Sequence, residues 1–252
     1  KRIDIRVWRF LRTDAPSVGA LWFLAGGPGN PGMGSVGTYK KMRDRADDLQ
    51  LNFSYDMYAY DHRGISGSTP LNCSTAMAED SPGGEWITVE EYPRCVVDLL
   101  SIYTQRELAM FSTTNAAWDV RFVSTWEQSQ RQQQNYKVAV LGESYGTYLA
   151  LRMLQLEGQD SRPHLIDFSI LDGVVAPNLY SYMTQTGTFT SALRTLCSAC
   201  AEDYGGCRKA LGPAPCQTML KVKRLLETGH CAEAGFAAAD FVSFNGRVLS
   251  LL

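Results

Sequence analysis

The chain has 252 residues, 45% of them hydrophobic, which suits one large domain or a domain and a half with a sizeable core. Its 24 basic and 26 acidic residues are well mixed and sum to a net charge of -2, which argues against a nucleic-acid-binding stripe or a polybasic membrane patch. No apolar run reaches the roughly 18 residues of a membrane span, and Lys1 leads straight into a strand-like segment, so the chain reads as processed or trimmed rather than as starting with a signal peptide.

From Ile3 to Leu11 apolar and polar residues alternate, the pattern of an edge strand with one wet face. Gly19 to Ala25 is apolar throughout, as a strand buried on both faces of a parallel sheet should be. It runs into Gly26-Gly-Pro-Gly-Asn-Pro-Gly32, a loop whose glycines let backbone amides approach a ligand closely. Tyr39 to Leu49 is a charged helix candidate. Phe53 to Tyr60 is the next strand, closed by Asp61-His-Arg-Gly64. Thr88-Val-Glu-Glu91 has the form of a capping box and predicts a helix to about Ile102. A second helix is predicted from Thr113 to Glu127, with Trp118 and Trp126 packing in its core face, and Gln128 to Asn135 as its solvated end and loop.

The centre of the chain is Lys137-Val-Ala-Val-Leu-Gly-Glu-Ser-Tyr-Gly-Thr147. Val138 to Leu141 is a short buried strand, and Thr147 to Gln155 a helix. Between them stands Gly142-Glu-Ser144-Tyr-Gly146, a G-x-S-x-G sequence in the strand–turn–helix context of a nucleophile elbow. Such a turn presents the Ser144 hydroxyl at the top of the sheet. It also places the Tyr145 amide at a helix N-terminus, half of an oxyanion hole. Leu165 to Leu171 is a last strand, ending at Asp172-Gly-Val174. Tyr180 to Glu233 is helical in pattern and rich in cysteine, like a lid or cap. Strands alternating with helices predict a doubly wound, mostly parallel sheet, with residues 1–177 in the core and 178–252 beginning the cap.

Of seven cysteines, five lie between Cys197 and Cys231, and none has zinc-ligand spacing with partner histidines. They read as disulfides, hence a secreted protein or one of a lysosome- or vacuole-like compartment. The sequons Asn52-Phe-Ser54 and Asn72-Cys-Ser74 agree with that. Cys73 and Cys95, the two cysteines of the sheet-bearing half, are expected to pair, which in the chain-entropy model is worth about 3–4 kcal/mol. The odd count leaves one cysteine over, or pairing beyond Leu252.

Four motifs stand in order, each at a strand end: Gly26-Gly-Pro-Gly29, Asp61-His-Arg-Gly64, Gly142-Glu-Ser-Tyr-Gly146 and Asp172-Gly-Val174. Together with Asp61–Cys73, Phe111-Ser-Thr-Thr-Asn-Ala-Ala-Trp-Asp119 and Leu171–Val175 they resemble the α/β-hydrolase peptidases of the proline iminopeptidase and tripeptidyl aminopeptidase group, closest to the secreted tripeptidyl branch. The likeness covers essentially the whole chain. Ala25 and Tyr145 replace the usual His and Trp of prolyl iminopeptidases, which points away from strict proline specificity. Serine carboxypeptidases share two of the motifs but not the Asp61-x-Arg-Gly block.

The resemblance implies an α/β-hydrolase fold with a helical cap, and a serine exopeptidase acting on peptide N-termini through an acyl-enzyme at Ser144. It gives the second oxyanion amide to Gly27 and a Cys200–Cys207 bridge to the cap; the pairing of Cys197, Cys216 and Cys231 stays open. Gly26 and Glu143 are candidates to touch substrate, Glu143 equally a candidate for a buried hydrogen bond into the scaffold. Asp61 and Arg63 read as ties for the strand-end loop. His62, His164 and His230 read as structural, and Asp172 precedes the strand that carries the acid in this pattern, so the catalytic Asp and His are expected beyond Leu252, in a missing half on the same polypeptide or a processed second chain. Peptide is the implied substrate, and no metal or organic cofactor is implied. Serine carboxypeptidase-like or esterase activity on the same fold, and an inactive homologue with a binding role, are the alternatives.

Overall fold

Five strands form one sheet: β1 (Arg6–Phe10), β2 (Gly19–Leu24), β3 (Tyr55–Asp61), β4 (Lys137–Glu143) and β5 (Phe168–Asp172), in the order β1-β3-β2-β4-β5. β1 runs antiparallel to β3; every other neighbouring pair is parallel. The computed structural model describes residues 1–11, 16–35, 37, 40–41, 44, 54–65, 67–84, 87–131, 135–157, 159, 164–177, 185–230 and 232–235. The predicted helix over Tyr39 to Leu49 falls largely outside them, as do Asn52 and Cys231. The chain divides into two compact units, Lys1–Leu179 and Tyr180–Leu252.

The all-apolar sequence of β2 has the cause inferred for it: all six residues are buried. Ala20, Trp22 and Leu24 share one face with Tyr58, Tyr60, Val138 and Val140. Against them pack Ala116, Ala117 and Val120 of α3 (Thr113–Gln130), and Leu149, Ala150, Met153 and Leu156 of α4 (Tyr145–Glu157). The opposite face gathers Leu21, Phe23, Met57, Ala139 and Leu141. Trp22 stacks on Tyr58 with ring centroids 4.8 Å apart. At the far edge β5 leaves Phe168 and Ile170 exposed.

Two details depart from the sequence reading. The reciprocal bonds of Thr88 and Glu91 do form, with the Thr88 amide and hydroxyl donating to the Glu91 carboxylate, yet helix α1 (Tyr92–Ile102) starts only after Glu91. Pro93 explains the delay, because a proline belongs in the first turn, where its missing N–H costs nothing. A full capping box stands instead at Thr104 and Glu107, opening the short α2 (Gln105–Leu108). Trp126 is not core packing: it is exposed beside Phe122 on the outer face of α3, while Trp118 is half-buried against the core.

Unit Tyr180–Leu252 holds α5 (Gln185–Glu202), α6 (Cys207–Leu211) and α7 (Pro215–Glu227), and no strand among its described residues. Cys200 bridges to Cys207 as expected, and Cys197 to Cys216, tying α5 to α6 and to α7. The Asp203 carboxylate accepts from the amides of Gly205, Gly206 and Cys207, and these bonds hold its pKa below the usual range. In the first unit Cys73 bridges to Cys95 in the first turn of α1, as expected.

Glu157 closes the lower end of α4. Its buried carboxylate accepts from Arg121 of α3 at 3.1 Å and from the amides of Leu165 and Ile166, ahead of β5, at 2.8 and 3.0 Å. Glu157→Leu removes the carboxylate beside the buried Arg121 guanidinium and the acceptor of two amides, so a loss of about 3–5 kcal/mol is expected. Glu157→Gln keeps an acceptor in place and should fall between the two. Urea denaturation with a common slope checks both, and a Glu157→Leu midpoint equal to wild type would contradict the assignment.

Candidate active site

β2 and β4 are adjacent and parallel, but the chain leaves them in opposite directions. From β2 it moves outward to β3; from β4 it moves the other way, to β5. Connections that diverge from two neighbouring parallel strands open a crevice beyond their C-terminal ends, where open α/β sheets bind ligands. Here the walls of that crevice are the Gly26–Gly32 loop after β2 and Ser144 after β4.

Ser144 lies between the last residue of β4 and the first of α4. It has φ +52°, the one positive φ outside glycine among the described residues. Such a conformation costs a non-glycine residue on the order of 1–3 kcal/mol and persists only where the surroundings impose it. They do so on both sides. The Ser144 amide donates to the carbonyl of Asp172, at the end of β5, at 2.8 Å. Its carbonyl accepts from the amide and the hydroxyl of Thr147 at 2.9 and 2.7 Å. The Thr147 hydroxyl in turn accepts from the Val175 amide at 2.8 Å, so the turn is stitched to the segment after β5.

The flanking glycines are required by contact. A Cβ on Gly142 would lie 2.5 Å from the carbonyl oxygen of Gly146, and a Cβ on Gly146 would overlap the carbonyl oxygen of Leu24 in β2. Above the turn the wall is also glycine. A Cβ on Gly26 would sit 3.2 Å from Ser144 Cβ and 3.8 Å from its Oγ, and one on Gly173 3.8 Å from the Ser144 amide. The Ser144 side chain therefore stands exposed in a gap kept open by missing side chains. Tyr145 opens α4, so its amide is one of the first-turn donors at the positive helix end. Gly27 has φ +114°, and a Cβ there would meet the Gly29 amide at 2.7 Å.

The other motifs tie into this turn. The Tyr145 hydroxyl is 3.0 Å from Thr113 Oγ1, and burial raises its pKa. Arg63 grips Asp119 with two bonds, Nε to Oδ2 at 2.8 Å and Nη2 to Oδ1 at 2.6 Å, and Nη1 donates to the Met110 carbonyl. Buried Asp61 accepts from the Gly32 amide at 2.8 Å, holding the glycine loop. So the loop-tying expected of Asp61 and Arg63 is present, and Asp119 and Thr113, unread as partners, complete it. Nothing in sequence spacing joins positions 63 and 119.

Glu143 is exposed at the end of β4, not buried in the scaffold. Asp172 is exposed and meets Ser144 through its backbone. His164 is exposed beside Glu157, at the N-terminal side of β5 and thus at the opposite end of the sheet. His230 lies in the other unit. His62 packs its ring against Tyr145 at 5.6 Å. Its Nδ1 is 2.9 Å from the Arg63 carbonyl, which can only accept, so Nδ1 carries the proton; Nε2 is buried and has no partner among the described residues. Among the described residues no cluster of His, Cys, Asp and Glu has the form of a metal site, and no helix is long and apolar enough to cross a membrane. No family model matches the chain, and no curated protein matches it.

Burial lowers the His62 pKa, against the opposing pull of the Arg63 carbonyl and the Asp61 and Asp119 carboxylates. An unfolded histidine titrates near 6.5. Below that pH the unfolded state binds the proton more readily than the folded one, so His62 supports stability above about 6.5 and loses that support as pH falls. Buried Asp61, whose pKa burial raises, acts in the opposite sense and in the carboxylate range. The unfolding free energy should therefore fall between pH 7 and pH 5, and His62→Gln should flatten the slope. Denaturant titrations at several pH values measure it; parallel slopes for the two proteins would refute the assignment.

Proposed function

We propose that this chain carries the nucleophile side of a serine hydrolase of the α/β-hydrolase fold, an exopeptidase acting on short peptides through an acyl-enzyme at Ser144. The observation that carries the reading is the positive φ of Ser144 at a strand-to-helix turn beside the crevice between β2 and β4, with glycine on both flanks. A serine is held in that conformation when its hydroxyl must clear the sheet. The motif resemblance supplies the peptidase class, and the three disulfides support an oxidising compartment, secreted or lysosome-like.

In this reading Ser144 Oγ attacks the scissile carbonyl. The amides of Tyr145 and Gly27 receive the developing oxyanion, each worth on the order of 10²–10³ in rate. A base takes the hydroxyl proton and returns it to the leaving amine, and water then hydrolyses the acyl-enzyme. General-base help is worth roughly 10²–10⁴. In the first unit His62 has its Nδ1 on the Arg63 carbonyl and its ring against Tyr145, and His164 lies at the other end of the sheet. We therefore assign the base and its orienting acid to chain beyond Leu252. The exposed Phe168 and Ile170 on β5 suit an edge that continuing strands would cover.

A polypeptide containing residues 1–252 and their continuation should react with a fluorophosphonate at Ser144, and Ser144→Ala should abolish both labelling and peptide hydrolysis. Residues 1–252 alone should label slowly. Absence of labelling in the continued chain, or hydrolysis surviving Ser144→Ala, would leave an inactive homologue or a different nucleophile as the reading.

A further inference from the structure

A cleft of about 310 Å³ opens between the first turn of α3 and the outer face of α4, lined among others by Ser112, Thr113, Thr114, Tyr148, Arg152 and Pro177. Among the described residues its lining includes three hydroxyl residues at the start of α3 and one cation, and no acidic residue. Arg152 is half-buried. Its Nε donates to Thr114 Oγ1 at 3.0 Å and its Nη1 to Gln155 Oε1 at 3.1 Å, both neutral oxygens. Among the described residues no carboxylate comes within ion-pair distance of it. The other arginines held inside this unit behave differently: Arg63 is paired with Asp119, Arg121 with Glu157 and Arg131 with Asp56. A guanidinium has five donors in a planar fork shaped for a carboxylate, and here two nitrogens are spent on neutral partners.

The cleft adjoins the Ser144 turn. Thr113, in its wall, bonds the Tyr145 hydroxyl, and Tyr148 stacks near Tyr145 at 6.2 Å. Arg152 is seven residues along α4 from Tyr145, roughly 10 Å of rise at 1.5 Å per residue. Helical side chains lean back toward the N-terminus, so the guanidinium reaches the level of the first turn of α3, as its bond to Thr114 shows. At about 3.3–3.6 Å per extended residue, that span is two to three residues of peptide. The volume lies at the low end for small-molecule sites and suits one terminal residue rather than a continuing chain.

We propose that this cleft binds the free C-terminal carboxylate of a short peptide substrate, on the guanidinium of Arg152 and the hydroxyls at the start of α3. This rests on Ser144 being the nucleophile, and it makes the enzyme selective for peptides whose leaving part is two or three residues long and ends in a free carboxylate. The positive end of the 18-residue α3 adds to the attraction.

Two measurements keep this separate from the Ser144 reading. The first is binding alone, by calorimetry on the Ser144→Ala protein, with N-acetyl-trialanine, its C-terminal amide and inorganic phosphate as probes. The acid should bind at least 10-fold more tightly than the amide, and Arg152→Gln and Thr114→Val should each remove most of that difference. The second is hydrolysis by the active enzyme of matched peptides with leaving parts of one to five residues, acid against amide. kcat/KM should favour the acid at two and three residues, and Arg152→Gln should erase the preference. Equal binding of acid and amide, or a difference that survives Arg152→Gln, would overturn the proposal even if Ser144 labels. Phosphate binding more tightly than the acid would also overturn it, in favour of a site for an inorganic anion.

Discussion

Backbone meets backbone where α4 leaves the sheet, and the rest of the site depends on that contact. The first turn of α4 lies so close to the end of β2 that residue 146 has no room for a Cβ beside the Leu24 carbonyl, and residue 142 none beside Gly146. With both positions glycine, the helix can begin one residue after the strand ends. The residue between must then turn through a left-handed conformation, and Ser144 does so at φ +52°. The cost is local and its compensation is spread out: Ser144 donates to Asp172 and accepts from Thr147, and Thr147 accepts from Val175. One close approach thus sets the strand-to-helix angle, the exposure of the serine and the position of the first amides of α4.

The strand-end segments act as one network. Asp61 holds the glycine loop through Gly32, Arg63 holds α3 through Asp119, and α3 holds the turn through Thr113 and Tyr145. A charged fork on a carboxylate fixes both distance and angle, which a single hydrogen bond does not. The loop after β2 and the turn after β4 are therefore referred to a common frame. The oxyanion site proposed for the Tyr145 and Gly27 amides would need such a frame, because its effect depends on positions held to a few tenths of an ångström.

Much of this was legible in the sequence, for identifiable reasons. The β2 strand could be read because burial on both faces leaves an apolar run with no polar interruption, and the turn at Ser144 because glycine is demanded on both sides. Two cysteine pairs could be expected, one from there being only two in the sheet-bearing half and one from likeness to related caps. What could not be read depends on tertiary placement. The strand order that makes β2 and β4 neighbours is a matter of crossovers, and no local pattern encodes it. Thr88 and Glu91 spell a capping box and make its bonds, but Pro93 shifts the helix start past them. Trp126 looked like core because aromatic residues usually are; it faces outward because α3 buries its alanine and valine stripe instead.

The internal charges follow a rule that makes its exception informative. At the lower end of the sheet Asp56 is buried and takes Arg131 at 2.6 Å, with Arg9 3.8 Å away and Glu127 near both arginines. On the flank, Arg121 and Glu157 pair; at the top, Arg63 and Asp119 pair. Withdrawing a charge from water costs several kcal/mol, and an opposite charge in good geometry is what offsets it. Arg152 is partly withdrawn from water, and among the described residues its hydrogen-bond partners are neutral oxygens. A clamp between α4 and Thr114 would explain one donor, and a glutamine or lysine could supply it at lower desolvation cost. A guanidinium in that place brings more donors than the clamp uses, with an open cleft on the same side. In a unit that otherwise matches each of these arginines to a carboxylate of its own, the missing carboxylate is the natural ligand.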